Sequence, residues 1–342
     1  MKTVYVGLDL GSTVCAAAAM DKRGKVLGQV EFPTSMQNLI DCVTSIRGEV
    51  HVMIEEGELS GWAYRVLAPH VKRVVVSDPK RNAWIAKDTV KGDPVDALKL
   101  AELLRLGSFR EVFHPDDEEM EAFKKAVQLH VEMGRKVAAL KNQLKAQFRR
   151  EGVICKDRSV YDPEGSEKAL EKVSSPTVRE VILQNFSLLD QMEGAKKKAE
   201  KVVVSLSRRY PIISAFRKVP GMGPILSARF VAYIQTPHRF HRKSKVWKYS
   251  RLGVTDRSSD GKPLERKRLD HAGNGILKDL SRKAFNAAMK KKEDNLFQRT
   301  YRNSLKATQN AVHARLTTQR KILSVLWAMW RNGTEYDDGY RA

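Results

Sequence analysis

An α/β domain followed by a helical remainder is the fold class that this sequence predicts, on three observations. Up to about residue 112, short apolar runs rich in β-formers alternate with stretches of helical spacing. From about Asp116 the texture changes to long, charged helices. Pro211 and the run to Pro220 then mark a boundary into a last helical part. The expected organisation is a domain at 1–115, a helical arm at 116–210, a compact helical domain at 211–333 and a frayed tail at 334–342.

Taken in order, Thr3–Leu8 is a first strand closed by the tight turn Asp9-Leu10-Gly11-Ser12-Thr13. Val14–Met20 is a second, and Asp21-Lys22-Arg23-Gly24 reads as a hairpin turn into a third at Val26–Phe32. Ser35–Ile46 has helical spacing, Val50–Ile54 is a fourth strand ending at Glu55-Glu56-Gly57, and Trp62–Leu67 is helical. Val71–Val76 is a fifth strand, and a helix runs from Leu98 to Leu106. The opening three strands are expected to be antiparallel, which makes the sheet mixed.

Two long helices follow. Val127, Met133 or Gly134, Val137, Leu140, Leu144 and Phe148 form one apolar stripe. After a polar loop at 151–175, Val181, Leu188, Met192, Ala195, Ala199, Val202 and Leu206 form another. These near-heptad seams predict an antiparallel coiled-coil arm. The last domain has a polar central loop (255–270) and ends in an apolar helix with Leu323, Leu326, Trp327 and Trp330, which reads as core.

The chain has 342 residues, with 62 Lys plus Arg against 40 Asp plus Glu, a net charge of +22. That excess implies a polyanionic partner, nucleic acid first, while 42% hydrophobic residues exclude a wholly disordered basic tail. Three scattered cysteines, Cys15, Cys42 and Cys155, make no CxxC pair or disulfide framework, and His130, His241 and His271 have no zinc spacing. With no apolar run of about 18 residues, a cytoplasmic protein that does not enter the membrane is expected.

Against this basic background, carboxylates cluster at element ends. Asp9 ends the first strand and Glu55 and Glu56 end the fourth. In Lys91-Gly92-Asp93-Pro94-Val95-Asp96-Ala97, Asp93 and Asp96 share one face of a helix start, although Asp93 alone also reads as an N-cap before Pro94. Such hard oxygen ligands suit Mg²⁺, and two ions could clamp both oxygens of a phosphodiester displacement. The Asp9–Thr13 turn also looks like the first phosphate loop of sugar kinases and actin-like ATPases. Those proteins need a second Asp-x-Gly-Thr loop half a chain later, which the sequence lacks.

Gly7-Leu8-Asp9, Met53-Ile54-Glu55 and Lys91–Ala97 followed by Leu98–Leu104 resemble the DEDD transposases, the insertion-sequence recombinases of the IS-one-ten type related to the Piv invertase. Further on, Lys218-Val219-Pro220-Gly221-Met222-Gly223-Pro224, Leu252-Gly253-Val254 and His271-Ala272-Gly273-Asn274-Gly275 resemble the family's second domain. The resemblance implies an RNase H-like (RuvC-like) domain, a coiled-coil arm and a C-terminal transposase domain. It places the acidic set on Asp9, Glu55, Asp93 and Asp96, with Glu56 as the alternative to Glu55. It also implies a serine nucleophile in the loop Thr255-Asp256-Arg257-Ser258-Ser259-Asp260-Gly261-Lys262. Asp256 and Asp260 depart there from the usual Pro and Gly, so Ser259 and Ser258 both stay open. The implied partners are donor and target DNA and a structured bridge-type noncoding RNA, with a dimer or tetramer formed through the arm. The other readings are a Holliday-junction resolvase-like nuclease using metal-activated water, and a nucleic-acid-binding scaffold.

Gly221 and Gly223 look like the turn of a helix-hairpin-helix, where backbone N–H groups approach phosphate. Arg239, Arg242, Lys243, Lys245, Lys248 and Arg251 interleave with Phe240, Trp247 and Tyr249, a pattern suited to phosphate contact and base stacking. Arg135, Lys136, Lys141, Lys145, Arg149, Arg150 and Lys196-Lys197-Lys198 charge the arm, and Arg266-Lys267-Arg268 and Lys290-Lys291-Lys292 add to the total.

Overall fold

Alternation of apolar residues builds the first of two compact units, Met1–Asp116 and Asp117–Ala342. The structure, a computed structural model, describes residues 2–79, 92–114, 117–255, 258–259, 262–263 and 268–339, the two short strands at 258–259 and 262–263 as backbone. Lys91, Asp256, Arg257, Asp260, Gly261, Arg266 and Lys267 lie outside the described residues.

In the first unit, β1 (Thr3–Leu10), β2 (Val14–Asp21), β3 (Val26–Pro33), β4 (Glu49–Glu55) and β5 (Arg73–Ser77) form one sheet in the order β3-β2-β1-β4-β5. β2 is antiparallel to β1 and β3, while β1, β4 and β5 run parallel. The β2–β3 turn closes because Asp21 Oδ1 accepts the backbone N–H groups of Arg23 and Lys25, with Gly24 at φ +82°. Even-numbered residues of β1 and β4 (Val4, Val6, Leu8; Val50, Val52, Ile54) pack under α1 (Met36–Thr44) and α2 (Ser60–Leu67) through Leu39, Val43, Ala63 and Leu67. The odd-numbered face carries α3 (Asp93–Leu106), with Met53 and Val75 against Leu100, Leu103 and Leu104.

α3 sits close to the sheet because the sheet is small-sided beneath it. Ala16 and Ala18 of β2 meet Ala97. At Gly7 of β1 an added Cβ would lie 2.0 Å from the Ala97 carbonyl oxygen and 2.5 Å from the Ala101 nitrogen. The glycine of the Gly7-Leu8-Asp9 motif is therefore the floor on which the helix rests.

The second unit opens with α4 (Glu118–Arg150), which pairs with α6 (Pro176–Ser207). The pair is antiparallel: Arg209 reaches Glu119 at 2.9 Å, Lys141 reaches Glu193 at 2.6 Å, and Phe148 faces Phe186. The 151–175 segment is not a plain loop. A 3-10 turn at Ser159–Tyr161 and α5 (Pro163–Glu171) bring Val153, Val160, Ala169 and Val173 onto Leu144, Phe148, Ile182 and Leu189, closing the far end of the pair. The α6 seam keeps Ala199, with Met192 and Leu206 packed against the cores, but is shifted by one residue from expectation at three positions. Ile182, Asn185, Leu189, Ala199 and Val203 are buried, whereas Val181, Leu188 and Val202 are 49%, 46% and 51% exposed.

The near end shares its core with the C-terminal helices, through Met120, Phe123, Val127 and Val203. Those helices are α7 (Ile212–Phe216), α8 (Pro224–Ile234), α9 (Lys243–Tyr249), α10 (Gly275–Met289), α11 (Leu296–Thr308) and α12 (Ala311–Asn332). Leu323, Leu326 and Trp327 of α12 are buried in that core, with Trp330 packed against it. Between α9 and α10 the expected loop pairs into two small ribbons. β6 (Val254–Thr255) pairs with β9 (Arg268–Leu269), and β7 (Ser258–Ser259) with β8 (Lys262–Pro263). The tail is not frayed as far as it is described: Asp338 accepts from the Leu296 N–H and from Arg299, and Lys218 pairs with Glu335 at 2.7 Å.

Two stability measurements check this packing. Gly7→Ala is expected to lower unfolding free energy by about 2–3 kcal/mol, because the new methyl group meets backbone that cannot yield. Leu189→Ala should cost about 2–4 kcal/mol in urea denaturation, and Leu188→Ala within about 0.5, reversing the order that the sequence stripe implies.

Candidate catalytic site and nucleic-acid interface

The two-residue period of the strands decides which acids meet. Gly7 and Met53 face α3, so Asp9 and Glu55, two residues further along parallel β1 and β4, are on the same face. Glu56 follows the end of β4, where its N–H donates to the Ser77 carbonyl at 2.9 Å. It lies beyond the strand's two-residue period, and the acidic charges that raise Asp9 are those of Asp93, Asp96 and Glu55.

α3 begins with Gly92 at the N-cap and Asp93 as its first residue, so Asp93 is not the cap, and among the described residues no side chain caps this end. The Val95 and Asp96 N–H groups donate instead to the Gly92 carbonyl, at 2.9 and 3.0 Å. Gln29 Nε2 donates to the Pro94 carbonyl at 3.1 Å and ties the helix start to β3. Both carboxylates are then in the first turn, where the helix dipole favours negative charge. Lys99, one turn on and mostly buried, sits 3.3 Å from Asp96 Oδ1. Sequence reading passed over Lys99, although its spacing from Asp96 is a helical ion-pair signal.

Asp9 is the electrostatic centre of this group. Burial, then the charges of Asp93, Asp96 and Glu55, push its carboxyl above the ordinary aspartate range, against a lowering hydrogen bond from the Leu10 backbone. Among the described residues, no three acids, histidines or cysteines approach closely enough to grip one ion. The acids thus face one another at electrostatic rather than ligation range. Their chemistry nonetheless fits a hard divalent cation: oxygen donors only, mutually repelling, with Lys99 as a partial counter-charge.

In the second unit, Ser258 and Ser259 occupy β7, in register with Pro263 and Lys262. Gly221 and Gly223 separate in role. Gly221, at φ +85°, has its Cα against α10, where a Cβ would lie 2.1 Å from the Ala284 carbonyl oxygen, so packing explains it. Gly223 is the N-cap of α8, with no side-chain cap among the described residues and open space where a Cβ would stand.

The aromatic interleaving at 239–251 is core rather than a stacking platform. Phe240 is buried, Trp247 donates from Nε1 to Ser324 Oγ at 2.9 Å, and Tyr249 packs on Phe240. Arg239 lies over both rings, 5.0 and 4.7 Å from their centroids, and Arg251 donates from Nε to the Gly273 carbonyl at 2.7 Å. Arg242, Lys243, Lys245 and Lys248 remain exposed, Lys248 lying 4.0 Å from Asp270. The three cysteines are free thiols, and burial beside Cys15 pushes Cys42 up to about 11. Among the described residues no helix is long and apolar enough to cross a membrane.

Comparison with known families finds two matches along the chain. Residues 6–151, which include Asp9, Glu55, Asp93 and Asp96, match the IS110-type DEDD transposase model. Residues 213–302, which include both glycines and both serines, match the transposase model of the IS116/IS110/IS902 family. No curated protein matches the chain. The two models describe one family and follow each other along the chain, and the chain belongs to the IS110-type DEDD transposases, DNA recombinases of insertion sequences.

Proposed function

We propose that the chain cuts and rejoins DNA through a serine-linked intermediate, with Asp9, Glu55, Asp93 and Asp96 holding two Mg²⁺ ions. The observation that carries this reading is the convergence of three carboxylate charges on half-buried Asp9 at the end of a central strand. The sheet order, three antiparallel strands leading into two parallel ones, supports an RNase H-like domain.

When bound, the metal would neutralise the non-bridging oxygens of the scissile phosphate. The acids orient it, and α3 keeps two of them in register with the strand ends. Ser259 or Ser258 supplies the attacking hydroxyl. Its oxygen gains a bond to phosphorus, one strand leaves as a hydroxyl end that takes up a proton, and the bond energy is kept in a phosphoserine. Attack by the hydroxyl of a second strand reverses these changes and frees the serine, so that joining needs no nucleotide cofactor. Exposed Arg242, Lys243, Lys245 and Lys248, with the uncapped start of α8, provide sequence-independent phosphate contacts. Target choice then falls to a guide: a structured noncoding RNA bound by a dimer or tetramer in the cytoplasm completes the reading.

Ser258→Ala and Ser259→Ala, incubated singly with labelled donor DNA and run on denaturing gels, should split: one loses the protein–DNA adduct and the other keeps it. Adduct persisting in both single variants and in the double would overturn the serine role, and cleavage without adduct would identify hydrolysis by water. The acidic cluster is read by melting temperature. Asp9 holds its proton more tightly in the folded chain than in the unfolded one, so its ionisation costs stability as pH rises through the carboxylate range. Asp9→Asn should therefore melt higher than the parent at neutral pH in chelator. Mg²⁺ at ten to a hundred times its dissociation constant should stabilise the parent by about 1.4–2.7 kcal/mol and leave Asp9→Asn nearly unmoved.

A further inference from the structure

Within the second unit, where the α4/α6 pair meets α8 and α10, lies a cleft of about 630 Å³. Its walls come from residues far apart in sequence, so no motif announces it. Arg135 of α4, Lys196 of α6 and Arg229 of α8 bring positive charge to it, beside His130.

The cleft holds polar groups that the fold itself leaves unmatched. Arg229 is only 8% exposed, and among the described residues its Nε has no hydrogen-bond partner. The nearest carboxylate, Asp279, is 3.9 Å from Arg229 Nη1 and is already engaged by Arg282 at 2.7 Å and Lys283 at 2.6 Å. His130 is 3% exposed, and neither ring nitrogen makes a hydrogen bond among the described residues; Glu200 stands 3.6 Å from its Nε2. One turn beyond Arg229, the buried Tyr233 hydroxyl also lacks a partner among them, and Arg135 is among the charges acting on it. Buried polar groups are ordinarily satisfied, and a buried guanidinium more so, because its desolvation is costly. At the opening itself, the unbonded buried nitrogens of Arg229 and His130 call for an acceptor from outside the chain.

The chemistry of that acceptor follows from the walls. An anion with several oxygens can take hydrogen bonds from Arg229, Arg135 and Lys196 together. The first turn of α8 reaches the cleft at Ile225 with no side chain capping it among the described residues, and the start of a helix favours negative charge. The volume is large enough for a phosphate with its flanking sugars.

We propose that this cleft binds a backbone phosphate of a nucleic-acid strand, with Arg229 as the buried anchor and Arg135 and Lys196 as its outer contacts. The proposal rests on the reading of the chain as a nucleic-acid recombinase but not on the serine chemistry. It also gives Lys196 a task distinct from that of its exposed neighbours Lys197 and Lys198.

The test uses the full chain, the variants Arg229→Met and Arg135→Gln/Lys196→Gln, and three probes: inorganic phosphate, a DNA duplex and an RNA hairpin. In chloride buffer of constant ionic strength, phosphate should raise the melting temperature of the parent and not that of either variant. Without phosphate, Arg229→Met should melt no lower than the parent, since it removes a buried cation whose Nε is unbonded and whose carboxylate, Asp279, is shared with Lys283 and Arg282, whereas a purely structural arginine would cost stability there. Affinity for the nucleic acid that uses the cleft should fall about tenfold in each variant, and the slope of log affinity against log salt should drop by about one in Arg229→Met and about two in the double variant. Loss on DNA alone, RNA alone or both supports the cleft and names its source. Parental affinity and salt slope in the double variant, with no phosphate shift in the parent, would overturn it, even if Arg229→Met fails to fold. Adduct formation by the parent chain separates the two readings: adduct with no cleft effect sinks the cleft alone, and a cleft effect without adduct sinks the serine chemistry alone.

Discussion

The backbone of α3 lies directly on Gly7 of β1, and the arrangement of the acidic residues depends on that contact. A side chain at position 7 would occupy the same space as the Ala97 carbonyl. With none there, and with Ala16, Ala18 and Ala97 extending the shallow surface, the helix settles onto the sheet. Its first turn, held to β3 through Gln29 and Pro94, then presents Asp93 and Asp96 to Asp9. Close helix–sheet packing and the collection of negative charge are one structural event. The stability gained from burying Leu100, Leu103 and Leu104 against Met53 and Val75 holds together carboxylates that repel one another.

Two imbalances of opposite sign run through the molecule. At the ends of β1 and β4, the charges of Asp93, Asp96 and Glu55 raise the carboxyl of Asp9, with Lys99 beside Asp96. Beside α8, a buried arginine has its natural partner, Asp279, already taken by Lys283 and Arg282. Neither is an economical way to stabilise a fold, since like charges held together and a buried guanidinium with an unbonded Nε both cost free energy. Both fit the proposed handling of a polyanion, through a cation at the acidic group and directly at the buried arginine.

The segment 239–251 divides its residues between core and surface. Its aromatic rings are spent on the interior, Trp247 against α12 and Phe240 with Tyr249 under Arg239. What remains outside is Arg242, Lys243, Lys245 and Lys248, exposed cationic side chains of the kind that favours phosphate over base edges.

Much of this was legible in the chain. Strand alternation placed all five strands and their mixed order, turn residues closed the hairpin, and acids at element ends marked the cluster, because these features depend on neighbours a few residues apart. Long-range packing decided the rest. On α6 the pairs Val181/Ile182, Leu188/Leu189 and Val202/Val203 offer two equally apolar stripes, and only the facing α4 determines that the second is buried. Glu55 and Glu56 are equivalent as letters until the strand period points one toward α3. Gly221 resembled a phosphate-binding turn until α10 was seen against it. The cleft around Arg229 has no sequence signature, since four helices distant in the chain supply its walls. The sequence by itself determined which residues are apolar, acidic or basic and with what period. Only the tertiary structure decided which of them meet, because burial and electrostatic balance depend on neighbours that the chain order does not name.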